Sequence, residues 1–205
     1  DATTAVVLPR VEVDTEDSAF EFPTKPVGPV LSDKQVMSED WDIAETVIGP
    51  RRVVASPKPI RILDLEIIRS LIGKNAIVIC CGGGGIPVTK NGEYYQGIPA
   101  VIDKDRLSSL LAIEMDVDAL IISTAIDAIR TSFGKENEKV HRTMSVAEAK
   151  LFGEQGEFPP GSMGPKVTSL IEYAEKKKDG KSIICQPGDA LMALRGDSGT
   201  TITNE

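Results

Sequence analysis

Four consecutive glycines, Gly82, Gly83, Gly84 and Gly85, directly follow the apolar run Ala76–Cys81. Residues without side chains let backbone N–H groups close around an anion, at a larger entropic cost than an ordinary turn requires. A second anion-directed pattern is Gly161-Ser162-Met163-Gly164-Pro165-Lys166. With Pro165 in the first helical position, the unpaired N–H groups of a helix start emerge there, and Lys166 adds a cation. A cation at that end is disfavoured by about 0.3–1 kcal/mol, a penalty that a bound anion would reverse. In Ile102-Asp103-Lys104-Asp105 a lysine stands between two aspartates at a helix start. Such a lysine could meet the charge of a transferring phosphoryl group. Helix capping accounts for the same residues equally well. Lys25 lies in Phe22-Pro23-Thr24-Lys25-Pro26-Val27-Gly28-Pro29, whose three prolines exclude regular helix and predict a stiff, exposed loop. Its lysine either reaches over a site as a lid or stands in solvent.

Other chemistries are poorly supplied. One histidine, His141, leaves a Ser or Cys hydrolase triad without its usual base and makes a structural zinc site improbable. No metal-ligand set is expected. The three cysteines, Cys80, Cys81 and Cys185, sit in apolar, strand-like surroundings that suit reduced core residues. A net charge of −8, with acids spread along the chain, argues against nucleic acid as a partner. No apolar run approaches the roughly 20 residues of a membrane span, and no secretory leader is visible, so the expected location is the cytosol. Neither the Walker A spacing nor a protein-kinase catalytic loop occurs.

The elements that must hold these residues change character near Pro59. Residues 1–59 are rich in proline and acid, and they predict a small protruding subdomain with a linker. Within it Ala5–Val13 alternates as a strand, Asp33–Met37 reads as a short helix and Arg51–Ala55 as a short strand. From residue 60 to 205 helices and strands alternate. Leu63–Ile72 predicts a helix burying Leu63, Ile67 or Ile68, and Leu71. Ala76–Cys81, Ala119–Thr124 and Ser182–Cys185 predict parallel strands buried on both faces. Helices are expected from Asp103 to Met115, from Ser145 to Gly153 through a capping box, from Pro165 to Lys178 and from Asp189 to Arg195, with a last strand at Thr200–Thr203. The fold class is therefore α/β, a mostly parallel sheet sandwiched between helices.

Seven segments, in order, resemble those of the carbamate kinases, within the amino acid kinase superfamily. They are PTKPVGP (Pro23–Pro29), RRVVASPKP (Arg51–Pro59), GGGGIPV (Gly82–Val88), AVIDKD (Ala100–Asp105), FGKENEK (Phe133–Lys139), FPPGSMGPKV (Phe158–Val167) and LRGDSGTTI (Leu194–Ile202). The resemblance implies phosphoryl transfer between ATP and carbamate, giving ADP and carbamoyl phosphate, with Mg²⁺ on the nucleotide. It implies that Lys104 stabilises the transferred group, that Asp105 organises the lysines, that Lys166 contacts the phosphates beside Met163 and Gly164, and that Lys25 covers the carbamate side. Gly82 to Gly85 would line the pocket for carbamate or the transferring group. The loop from Thr124 to Lys135, with Asp127 and Phe133, would lie near the nucleotide. A homodimer and a role in arginine breakdown are further implications. Carbamate kinases begin with roughly a further third of chain, so the sequence is a truncated piece, one subunit of a split protein whose partner is a separate N-terminal segment, or part of a longer chain, and alone it is expected to be poorly stable and inactive.

Overall fold

The computed structural model describes residues 3–46, 48–159 and 161–204; Pro160, within the Phe158–Val167 segment, lies outside them. The chain divides into two compact units, residues 1–107 and 108–205.

The first unit contains β1 (Thr4–Val6), β2 (Arg10–Val13), β3 (Lys25–Val27), α1 (Asp33–Ser38), β4 (Ile43–Thr46), β5 (Gly49–Val54), β6 (Pro59–Ile62), α2 (Leu65–Ile72), β7 (Ile77–Ile79), β8 (Ile86–Asn91) and β9 (Tyr94–Gly97), and it ends within α3 (Lys104–Glu114). One sheet has the order β6-β2-β8-β9, with β2 parallel to β8 and the other pairs antiparallel. Val11, Ile62 and Val88 bury their side chains from three of its strands. A second, antiparallel sheet, β3-β5-β4, forms the small subdomain with α1, whose start is a complete capping box between Ser32 and Gln35.

Three expectations are corrected here. The single strand over Ala5–Val13 is two strands, broken at Val7-Leu8-Pro9. The segment around Lys25 is not a free loop: Lys25, Pro26 and Val27 pair with Val54, Val53 and Arg52. Pro26 is tolerated because β3 is an edge strand, where a missing N–H donor can face away from the ladder. Finally, β7 is not buried on both faces. It pairs in parallel with β1, and Ile77 and Ile79 are each 56% exposed. Val6 on the paired strand β1 and Leu8 just after it are exposed as well. Of the alternatives on α2, Ile68 is fully buried and Ile67 is exposed.

The second unit continues from α3 through β10 (Ala119–Ser123), β11 (Ile129–Thr131), β12 (Lys139–His141), β13 (Thr143–Ser145), α4 (Val146–Glu154), α5 (Met163–Lys176), β14 (Lys181–Cys185), α6 (Ala190–Arg195) and β15 (Thr200–Thr203). Its main sheet has the order β10-β14-β15-β13; the outer pairs are parallel and β14-β15 is antiparallel. The α/β class stands, with antiparallel pairs mixed among the parallel ones. Helix α5 buries Val167, Leu170, Ile171 and Ala174 as its periodicity demands, and adds Tyr173, whose hydroxyl donates to the Val117 carbonyl at 2.6 Å. The capping box at Ser145 and Glu148 is present, and Gly196 closes α6 in the left-handed conformation, φ 86°.

Candidate active site

In the first unit the glycine loop and the start of α3 meet through backbone. A Cβ on Gly84 (φ 83°) would run into the carbonyl oxygen of Ile102, the residue that precedes Asp103-Lys104-Asp105. Gly85 (φ 72°) is held as closely on its other side: a Cβ there would lie 2.7 Å from the Pro9 carbonyl oxygen and 2.8 Å from Val11 Cγ2. Gly82 and Gly83 have open space around them and are exposed. The four glycines thus have two roles. Gly84 and Gly85 allow close approach of main chain to main chain, and Gly82 and Gly83 present unobstructed backbone.

This division makes a prediction. Gly84→Ala must displace backbone and adopt a strained φ, so it is expected to destabilise the protein by about 1–3 kcal/mol. Gly82→Ala meets no atom and should shift stability by less than about 1 kcal/mol. Urea midpoints of the two variants check the contrast.

At the acidic helix start the Asp103 carboxylate makes two sets of contacts. Its Oδ1 accepts from the Asp105 N–H at 2.9 Å and the Arg106 N–H at 3.3 Å, capping α3. Its Oδ2 accepts from Lys25 Nζ at 2.5 Å. Asp103 is buried, 5% exposed. Burial opposes its ionised form, but the Lys25 hydrogen bond and charge and the two amides outweigh that and hold its pKa below the ordinary carboxylate value. Lys25 is therefore pinned to the start of α3. Lys104 remains half exposed, with Nζ 3.4 Å from the carboxylate of the buried Asp105. That long contact orients Lys104 loosely and leaves its ammonium able to take another anion. The pairing of Asp103 with Lys25 is a contact that the sequence pattern did not assign; the signal available was a lysine on an extended strand and an unassigned carboxylate before Lys104.

In the second unit Lys166 is the fourth residue of α5, and Pro165 is the third, not the first. The proline remains harmless because N–H groups of the first turn have no intrahelical partner to lose. Ser162 precedes the helix without a side-chain capping bond. Met163, partly buried, packs its side chain against the core, and the Gly164 N–H donates to the Pro159 carbonyl at 2.9 Å. Lys166 is half buried on the first turn.

The loop after β10 is held by charge. The Thr124 N–H donates to the Cys185 carbonyl at 2.8 Å, tying the loop to the end of β14. Asp127 accepts from Arg130 at 2.8 Å and lies 3.4 Å from Arg142, while Arg130 also donates to Glu138 at 2.6 Å. The Arg130 hydrogen bond, acting against burial, holds the Asp127 carboxyl below its usual range. Glu138 reaches back to the Gly134 N–H at 2.8 Å. Asp127 therefore shapes the loop, whereas Phe133, 72% exposed, and Lys135, also exposed, stand out from it. Arg130 and Glu138, which the sequence reading did not single out, are the residues that brace them.

Comparison with known proteins identifies the family. The amino acid kinase family model matches residues 23–185. The carbamate kinase of Clostridium perfringens is 40% identical over 201 residues, covering 96% of this chain and 64% of the relative, and that of Halobacterium salinarum is 39% identical, covering 98% and 66%. The chain thus spans about two thirds of the length of these curated relatives. Among solved structures, the Giardia lamblia carbamate kinase bound to AMP-PNP is 35% identical, with a TM-score of 0.86 over 98% of this chain and 66% of that one. On these grounds the chain belongs to the amino acid kinase family, among the carbamate kinases.

Proposed function

We propose that this chain carries the chemistry of an ATP:carbamate phosphotransferase. An oxygen of carbamate attacks the γ-phosphorus of ATP, the new P–O bond forms as the bond to the β-phosphate oxygen breaks, and ADP leaves with the electron pair. Carbamoyl phosphate is the other product, and the step runs equally in reverse. Such a transfer asks the protein for in-line positioning and neutralisation of the equatorial oxygens rather than for covalent help. Lys104 supplies that charge to the group in transfer, and Lys166 with the first turn of α5 supplies it to nucleotide phosphates. Gly82 and Gly83 bind the acceptor or the group in transfer. Mg²⁺ enters as part of the nucleotide substrate.

The observation that carries this reading is the assembly of Lys25, Asp103, Lys104 and Asp105 at a helix start abutting the glycine loop. The test is ATP formation from ADP and carbamoyl phosphate by the longest native polypeptide containing the chain, beside phosphorylation of acetylated glutamate and of nucleoside monophosphates. Preference for one of those other acceptors would overturn it. Family resemblance supports the finer placement: a cytosolic homodimer that makes ATP in arginine breakdown.

The β1-β7 pair favours a second reading, in which the 205-residue chain is inactive until a further segment joins it. Parallel strands are ordinarily covered on both faces, and this pair exposes Ile77, Ile79 and Val6. Robust ATP formation by the 205-residue chain alone would exclude this reading.

A further inference from the structure

Cys80 and Cys81 are adjacent free thiols that end the approach to the glycine loop. Cys81 is buried, 4% exposed, and adopts the left-handed conformation, φ 64°, which is costly for a residue with a Cβ. Cys80 is partly exposed. The two residues are consecutive in the chain, so neighbouring α-carbons carry their sulfurs. The turn is tight on both sides of them: the Gly82 N–H returns to the Cys80 carbonyl at 2.8 Å, and the Gly84 N–H to the Cys81 carbonyl at 2.9 Å. One thiol is thus reachable and its neighbour in the chain is out of solvent, on a backbone already bent.

We propose that Cys80 and Cys81 form a peroxide-responsive vicinal dithiol that closes reversibly to a disulfide at the mouth of the glycine loop. The Cys80 thiolate attacks one peroxide oxygen; an S–O bond forms, the O–O bond breaks, and the departing hydroxide takes a proton to become water. Cys80 is then a sulfenic acid. The Cys81 sulfur attacks it, the S–S bond forms, the S–O bond breaks, and the proton of Cys81 leaves with the hydroxide as a second water. Two thiols lose two electrons and one peroxide gains them.

The protonation states suit these roles. The hydrogen bond from Cys81 brings the Cys80 thiol down to about 7, against the opposing effect of burial. Cys81 is pushed up by the same hydrogen bond, by burial and by the neighbouring thiolate, so it keeps its proton. Among the described residues, Cys81 is the titratable group that acts on Cys80. Gly84 is locked against Ile102, so ring closure must be absorbed by Gly82 and Gly83, which have space to move.

The test treats the full chain with one equivalent of hydrogen peroxide and maps it by peptide mass spectrometry. The peptide bearing both cysteines is expected to lose two hydrogens and regain them with dithiothreitol. In Cys81→Ser the reaction should stop at a dimedone-trappable sulfenic acid on Cys80, and in Cys80→Ser the residue-81 thiol should stay reduced. A second measurement is the pH profile of Cys80 alkylation by iodoacetamide. Its midpoint should stay low in Cys81→Ser, which keeps a donor, and rise towards about 8.5 in Cys81→Ala, slowing alkylation at pH 7 roughly tenfold. An interchain disulfide, oxidation confined to Cys185, or identical profiles in the two Cys81 variants would overturn the proposal. None of these readouts depends on phosphoryl transfer, so the proposal and the functional reading can fail separately.

Discussion

Replacing Lys104 by alanine is expected to reduce the turnover of ATP formation from ADP and carbamoyl phosphate by about 10²–10³-fold, the effect of deleting one preorganised group aimed at transition-state charge. The fold should barely notice. The Lys104 side chain is 52% exposed, and its contact with Asp105 is 3.4 Å long. Exposed substitutions of this kind usually change stability by less than about 0.5 kcal/mol. A charge that acts on the group in transfer lowers kcat when removed and leaves the KM for nucleotide nearly unchanged; a charge that merely held the nucleotide would do the reverse. Lys104→Arg should recover only part of the loss, because a planar fork cannot replace a compact ammonium at one point. Steady-state kinetics on the longest native polypeptide, with urea melts in parallel, separates these cases. Wild-type turnover in Lys104→Ala would falsify the assignment.

The elements of this fold were legible where their signals are local. The capping box at Ser145, the buried strand β14 and the amphipathic face of α5 follow from a few neighbouring residues, and each is found where the pattern places it. What was hidden depends on partners distant in sequence. That Lys25 meets Asp103 requires a pairing across 78 positions, and the competing solvent-exposed state of Lys25 has the same local sequence. The glycine run shows the same limit: four identical residues, two of which exist to let main chain pack on main chain. The apolar run at β7 misled for a different reason. Its composition signals burial, but burial needs a covering layer, and within the described residues Ile77 and Ile79 stay half open. Pro165 was placed two positions too early because every position in a first turn tolerates proline, so the residue type marks the turn without fixing its register.

The pairing of Lys25 with Asp103 has the largest expected effect on stability. Asp103→Ala removes a helix cap, worth about 1 kcal/mol, and a charge-assisted hydrogen bond, worth about 1.5–3 kcal/mol. The expected loss is about 3 kcal/mol, a sizeable part of the 5–15 kcal/mol that holds a domain together. Asp103→Asn keeps an oxygen for the Asp105 and Arg106 amides and loses only the ion pair, so it should lie between alanine and wild type. The pH dependence has a definite sign. Because the folded carboxyl titrates below the ordinary value, its stabilisation is complete above the unfolded pKa of about 3.9 and disappears as the pH falls through the lower folded value. The gap between wild type and Asp103→Asn should therefore narrow in acid and stay constant towards neutrality. Lys25→Met combined with Asp103→Asn completes a double-mutant cycle, and a coupling of about 0.5–3 kcal/mol is expected for residues in contact. If the two substitutions were simply additive, Asp103 would be a cap and nothing more. Lys25 would then have no fixed position at the start of α3, and its place in the proposed chemistry would have to be given up.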